Sequence, residues 1–252
     1  MNDHDFFKLL PWRLVICPVF MALLLKPSEY VFAQMFDAGL HFNVASPQGK
    51  FKDNVDRNGY GISIEGLIKP SPLPIRLGID FGFLQYGRER RSEHFSQTIQ
   101  DVSVDVTTSN NIVTSNIFLR LQQDYGVLMP YIDGVLGLQY LYTETTIEDE
   151  NHNDEPIASS KNIDDLTFCR GVGGGVMVPL HTFNKQYGGS RCSGSKLPVT
   201  LILDFKVRYM YGGKADYLTE GSIDRSGDEY TYNVSKSETD LLYFRLGLLI
   251  RL

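Results

Sequence analysis

A chain of 252 residues, 42% hydrophobic and 21% charged, is long enough for one all-β barrel or for two smaller domains. Its net charge of −6 argues against a nucleic-acid partner, because such binders cluster Lys and Arg to displace counterions from phosphate. Past the N-terminus no apolar run approaches the roughly 20 residues of a membrane-spanning helix, which excludes a helical membrane protein.

In chain order the first element is a secretory signal peptide over residues 1–33. Lys8 and Arg13 lie in a polar start, an apolar core runs from Leu14 to Leu25, and Val31 and Ala33 provide a small-residue exit. The core is too short for a membrane anchor and is interrupted by Pro18. Cys17 does not make a lipoprotein site, because Ile16 before it is bulky and the apolar core continues past it. Cleavage leaves residues 34–252 as one domain with the charge unchanged, and with only Cys169 and Cys192 it has no disulfide framework.

Within that domain the dominant period is two. Val199, Leu201, Leu203, Phe205, Val207 and Tyr209 alternate with Thr200, Ile202, Asp204, Lys206, Arg208 and Met210. Phe244, Leu246, Leu248, Ile250 and Leu252 alternate with Tyr243, Arg245, Gly247, Leu249 and Arg251. Such alternation places one apolar and one mixed face on each strand. Six further segments fit less perfectly, at about 36–45, 59–69, 74–86, 112–122, 130–143 and 166–180. Eight strands result, each near or above the roughly 9–11 residues that cross a bilayer at a tilt. The connectors, at about 46–58, 70–73, 87–111, 123–129, 144–165, 181–198 and 212–239, alternate long polar loops with shorter turns, although the sixth is longer than a tight turn. That alternation is the pattern of a transmembrane barrel, and an even strand count places both termini on the periplasmic side.

Period two is shared with soluble barrels, whose apolar face points inward. The mixed face discriminates: Thr167, Cys169, Gly171, Gly173, Gly175 and Met177 on one strand, and Asp133, Val135, Gly137 and Gln139 on another, suit a cramped interior rather than a solvated exterior. Threaded up and down, Tyr60, Phe83, Tyr86, Tyr140, Tyr142, Phe168, Tyr209 and Tyr211 fall near the loop end, while Tyr125, Tyr131 and Phe36 fall near the turn end. Two aromatic girdles at membrane interfaces account for this placement. The fold class expected is therefore all-β: an eight-stranded antiparallel up-and-down transmembrane β-barrel behind a cleaved signal peptide.

Segments such as YGRERR, NNIVTSNIFLRLQ, PYIDGVLGLQYLYTET and VRYMYGGKADYL resemble the small outer-membrane β-barrel proteins of the OmpA/OmpX-like group over roughly residues 35–252. The chain ends in Leu252, where many such barrels end in Phe or Trp. The resemblance implies a bacterial outer membrane, lipid and lipopolysaccharide as surroundings, extracellular ligands reached through loops, and a monomer. It implies little about activity, because the group hosts adhesins, stabilisers and lipid enzymes.

Strand parity points Asp37, Glu65, Asp80, Asp133 and Asp204 inward together with Lys69, Arg76, Arg120, Lys206, Arg208, Arg245 and Arg251. Buried charges are costly unless paired, so these residues are expected to form a polar network that plugs the lumen rather than a charge-lined pore. His41 is expected as a hydrogen-bonded interior residue. His94-Phe95-Ser96 resembles the His-x-Ser of an outer-membrane lipid A deacylase family, but it lies in a predicted loop instead of on a lipid-facing strand. His152 and His181 are scattered, so no catalytic constellation emerges.

Arg170 and the glycines at 171, 173, 174 and 175 superficially match a phosphate loop, yet no helix and no Lys-Ser/Thr pair follows. The acidic stretch of Glu144, Glu148, Asp149, Glu150, Asp154, Glu155, Asp164 and Asp165 holds a single base, Lys161. An EF-hand starting at Asp149, Asn151 and Asn153 fails, because Asp154 and Ser160 stand where Gly and Glu are needed. Cys169 and Cys192 are expected too far apart for a bridge, and Asn233-Val234-Ser235 is a formal sequon without weight in a bacterial barrel. No catalytic, cofactor or metal site is expected. The expected function is a structural or surface-interaction barrel, with a narrow channel and a lipid-modifying enzyme as alternatives.

Overall fold

A computed structural model describes residues 36–70, 73–94, 103–124, 126–149, 156–185, 197–219, 221–226 and 229–252. The segment expected as a signal peptide lies outside them. Eight long strands close into an antiparallel barrel: β1 (Phe36–Pro47), β2 (Gly59–Ile68), β3 (Ile75–His94), β4 (Ser103–Gln122), β5 (Met129–Asp149), β6 (Pro156–Lys185), β7 (Leu197–Gly212) and β12 (Leu241–Arg251). The order around the ring is β1-β12-β7-β6-β5-β4-β3-β2, so first and last strands seal the wall. Asp37 opposite Arg251 and Pro47 opposite Leu241 bound that closing ladder.

Alternation determines which face turns which way, and here the arrangement is that of a soluble barrel inverted. Leu40, Ile62, Ile64, Ile117, Phe205 and Leu246 project outward and are each more than half exposed. Asp37, Glu65, Asp80, Arg120, Asp204, Lys206 and Arg208 project inward and are fully or almost fully buried. A contiguous apolar belt on the outside and charge in the core suit a lipid surround, because no aqueous surface of this size stays apolar without a partner.

Side-chain volume on the inside is matched across neighbouring strands. Gly78 faces Phe118 across the β3–β4 ladder, and a Cβ at Gly78 would come within 2.2 Å of the Phe118 ring. The glycines of β6 serve the same purpose: Tyr131 lies opposite Gly175, whose added Cβ would meet the Tyr131 ring at 2.6 Å. The Gly-rich run is thus strand, not a phosphate loop. At Pro179, which has no N–H to give the ladder, the β6–β7 register shifts by a bulge.

The strands on one side are much longer than the alternation indicated. The segments expected as loops at 87–111 and 144–165 are largely strand, since β3 runs to His94, β4 starts at Ser103, β5 runs to Asp149 and β6 starts at Pro156. With about 10 residues spent crossing a bilayer, β3 to β5 each carry about 10 more beyond it. The sixth connector is likewise shortened to 186–196, between Lys185 and Leu197.

The first and last long connectors are also structured. A short helix, α1 (Gly49–Asn54), lies in the first. The last holds β8 (Lys214–Tyr217) paired with β11 (Ser235–Glu238), and β9 (Ile223–Ser226) paired with β10 (Glu229–Tyr232). Phe51 of α1 is fully buried between Tyr86, at 5.6 Å between ring centroids, and Tyr217, at 5.0 Å and edge-on. Asn54 donates to the Tyr217 hydroxyl at 2.9 Å, and that hydroxyl is 2.7 Å from Ser237 Oγ.

Two members of the expected girdles are corrected by this packing. Tyr86 is buried against α1, and Tyr131 points into the lumen. Both follow from parity: Tyr86 shares its face with Leu84, and Tyr131 shares its face with Asp133. Phe36, Tyr60, Phe83, Phe168 and Tyr211 are exposed outward.

Candidate functional site

The lumen is crossed by ion pairs at successive levels. Nearest the turn end, Asp37 on β1 accepts from Arg76 Nη1 at 2.9 Å and from Arg251 Nε and Nη2 at 2.9 and 3.0 Å. Arg76 also donates to Asp124 at 2.7 Å, and Lys69 shares that carboxylate. Burial raises the proton affinity of Asp124, but the hydrogen bonds from Arg76 and Lys69 outweigh it and hold the carboxyl below its ordinary range.

At mid-height Lys206 on β7 donates to Glu65 on β2 at 2.5 Å. Asp204 accepts from the Tyr131 hydroxyl at 2.6 Å and lies 2.9 Å from His41 Nε2. Arg120 donates twice to Asp133, at 2.8 and 3.1 Å, with its guanidinium carbon 3.9 Å from the Tyr131 ring centre. Above them Asp80 accepts from Asn116 at 2.8 Å and from Arg208 Nη1 at 2.6 Å, and faces Arg245 Nη1 at 3.5 Å. Arg208 reaches Asp133 as well, at 3.3 Å.

All ten residues face the lumen, in two groups: Asp37 and Arg76 pair at the turn end, and Glu65, Asp80, Arg120, Asp133, Asp204, Lys206, Arg208 and Arg245 are linked to one another above them. Sequence reasoning did not place Asn116, Tyr131 and Asp124 among them. Parity was a sufficient signal for the first two, whereas Asp124 sits in a turn, where period two has ended.

The register explains why the pairs span the lumen. Along the wall, like charges are neighbours: Glu65 opposite Asp80, Arg76 opposite Arg120, and Lys206 opposite Arg245. Those contacts repel, so Glu65, Asp80 and Lys206 find their partners across the lumen, while Arg120 pairs with Asp133 and Asp37 with Arg251 on adjacent strands. Arg208–Asp80 joins β7 to β3, which stand opposite in the ring, and Lys206–Glu65 joins β7 to β2. Phe118 stands among these cations, 5.1 to 5.6 Å from the Arg120, Lys206 and Arg208 heads.

His41, Glu65 and Asp204 bring ligand-type atoms within 4.8 Å of one another. The Lys206 ammonium already stands there, 3.7 Å from Asp204 and bonded to Glu65, and Arg120 Nη2 lies 3.6 Å from Glu65, so the protein's own cations already face that cluster. Other sequence candidates are dispersed. His94 ends β3, and Ser96 lies outside the described residues. Of the acidic stretch, Glu144, Glu148 and Asp149 stand on β5, Asp164 and Asp165 stand on β6, and Glu150, Asp154 and Glu155 lie outside the described residues, as does Cys192. Cys169 is a buried free thiol, 3.5 Å from Asn116 Oδ1.

Eight closed strands, an outward apolar belt and an interior filled by paired charge define a transmembrane β-barrel of the small, side-chain-filled size. No family model and no curated protein matches the sequence. Among solved structures the chain is similar to Neisserial surface protein A, with a TM-score of 0.41 and 12% identity over 86% of this chain and 96% of that one. A major outer membrane protein from Thermus thermophilus gives the same score and identity over 86% and 99%. Ail, the attachment invasion locus protein of Yersinia pestis solved with the heparin analogue sucrose octasulfate, gives 0.33 and 13% over 87% and 97%. At these values the functional reading rests on the geometry of the chain itself.

Proposed function

We propose that this protein is an outer-membrane barrel of structural and surface-interaction type, with a sealed lumen and with its activity carried by the strands and loops beyond the outer leaflet. The observation that carries the reading is the pairing of Glu65 with Lys206 and of Asp80 with Arg208 across the lumen, joined by Arg120 and Asp133 on adjacent strands, which occupies the cross-section a solute would need. A second closure stands at the loop end, where Phe51, Tyr86 and Tyr217 pack together. The lengthened β3 to β6 hairpins give the exposed side a stiff β-ribbon for contact with lipopolysaccharide or extracellular ligands. No catalysis is assigned to the chain.

Planar-bilayer recording of the inserted full chain tests this reading. The expected record is flat, without unit steps in any salt gradient. Reproducible single-channel steps would replace the sealed barrel with a narrow pore.

A further inference from the structure

A charged side chain stands on the largely apolar outward face. Arg170 projects from β6 between Phe168 and Val172, which are 56% and 61% exposed on the same face. Across the ladders it stands opposite Leu136 on β5 and Tyr211 on β7, both outward-facing. It is exposed, and it makes no ion pair or side-chain hydrogen bond among the described residues.

The acids nearest along the strand are engaged elsewhere. Asp164 accepts from the Tyr140 hydroxyl, and Asp165 accepts from the backbone N–H groups of Leu166 and Asp216. A guanidinium stays charged throughout the useful pH range, and an outward charge on a barrel wall is unfavourable in hydrocarbon. Its level resolves the conflict. Tyr211 is the second-last residue of β7, so on its β7 side Arg170 stands close to the loop-end interface expected for the barrel. Tyr209 and Tyr211, with ring centroids 4.6 Å apart, mark that interface beside it. Lys214, a second exposed cation, follows Gly213, whose N–H bonds the carbonyl of Phe168.

We propose that Arg170, flanked by Tyr209, Tyr211 and Lys214, is a binding site for the phosphoryl headgroup of an anionic lipid in the outer leaflet. The planar fork of the guanidinium supplies paired donors to phosphoryl oxygens, and the tyrosines seat the glycerol or sugar portion at the interface. The proposal rests on the membrane reading above.

The test uses the full chain and its Arg170→Leu and Arg170→Lys variants in phosphatidylcholine vesicles with and without phosphatidylglycerol. Heat-modifiable gel mobility first reports insertion. A wild-type chain that does not insert overturns the membrane reading and this site together, whereas an inserted chain without lipid preference overturns the site alone. Native mass spectrometry then reads which lipid is retained.

The wild type is expected to prefer phosphatidylglycerol by about tenfold or more, the Leu variant to lose that preference, and the Lys variant to keep part of it. In pure phosphatidylcholine the Leu variant, freed of an uncompensated charge, should unfold at equal or higher urea than the wild type. An unchanged preference in Arg170→Leu refutes the site. If inorganic phosphate added to phosphatidylcholine vesicles raises the wild-type urea midpoint as much as phosphatidylglycerol does, a lipid is not the ligand and the proposal also fails.

Discussion

Removing the Asp80 carboxylate tests whether the lumen is held together across its width. Asp80 is fully buried, accepts from Arg208 and Asn116, and is the one acid within salt-bridge range of Arg245 among the described residues. Asp80→Ala leaves Arg245 without an acidic partner and leaves Arg208 with only the longer contact to Asp133 at 3.3 Å. Breaking a buried pair while its cations remain costs about 3–5 kcal/mol. With an unfolding slope of about 3 kcal/mol per molar urea, the midpoint should fall by about 1–2 M.

The sole tryptophan is Trp12, within the expected signal peptide, so tryptophan fluorescence cannot report on the cleaved chain. The fraction of heat-modifiable band on a cold gel after urea titration serves instead. Arg208→Met in the Asp80→Ala background should recover part of the loss, with a coupling of about 0.5–3 kcal/mol. An exposed control, Asp53→Ala on α1, should stay within about 0.5 kcal/mol of wild type. If Asp80→Ala shifts the midpoint no further than that control, the cross-lumen pairing is not what holds this interior.

Two further outcomes follow from particular contacts. Gly78→Val should lower stability by about 1–3 kcal/mol, because the new side chain meets the Phe118 ring, and Phe118→Leu should recover part of it; a neutral Gly78→Val would contradict the register. Asp124, held below its ordinary range by Arg76 and Lys69, contributes stability that is present above its unfolded value of about 3.9 and is lost as pH falls through the lower folded value. Asp124→Asn should therefore flatten the decline of the urea midpoint below about pH 4, and an unchanged acid slope would count against that turn-end cluster.

Which residues face inward was legible from parity alone. Asp80, Glu65, Asp204 and Arg208 sit on alternating positions whose neighbours are Ile79 and Phe81, Ile64 and Gly66, Leu203 and Phe205, and Val207 and Tyr209, and a side chain on a strand has only two directions to take. The same rule placed Tyr131 inside, and reading it by height along the strand instead put it in the wrong environment. The outer halves of β3 to β6 were not legible. Beyond the bilayer neither face meets lipid, so Ser103–Asn110 and Thr143–Asp149 carry no apolar alternation, although Thr, Val and Ile in them favour strand. Nor was α1, six residues whose burial depends on Tyr86 and Tyr217 from distant parts of the chain.

The sequence by itself determined the architecture, because alternation over a bilayer's depth admits one stable closure: apolar side outward and charge inward. Only the tertiary structure decided the partners. Adjacent strands set Glu65 beside Asp80 and Lys206 beside Arg245, arrangements that repel, and no local pattern says how they are neutralised. Closure of the ring brings β7 across from β2 and β3, and it is that distance through the lumen, not separation along the chain, that pairs Lys206 with Glu65 and Arg208 with Asp80, while Arg120 and Asp133 pair along adjacent strands.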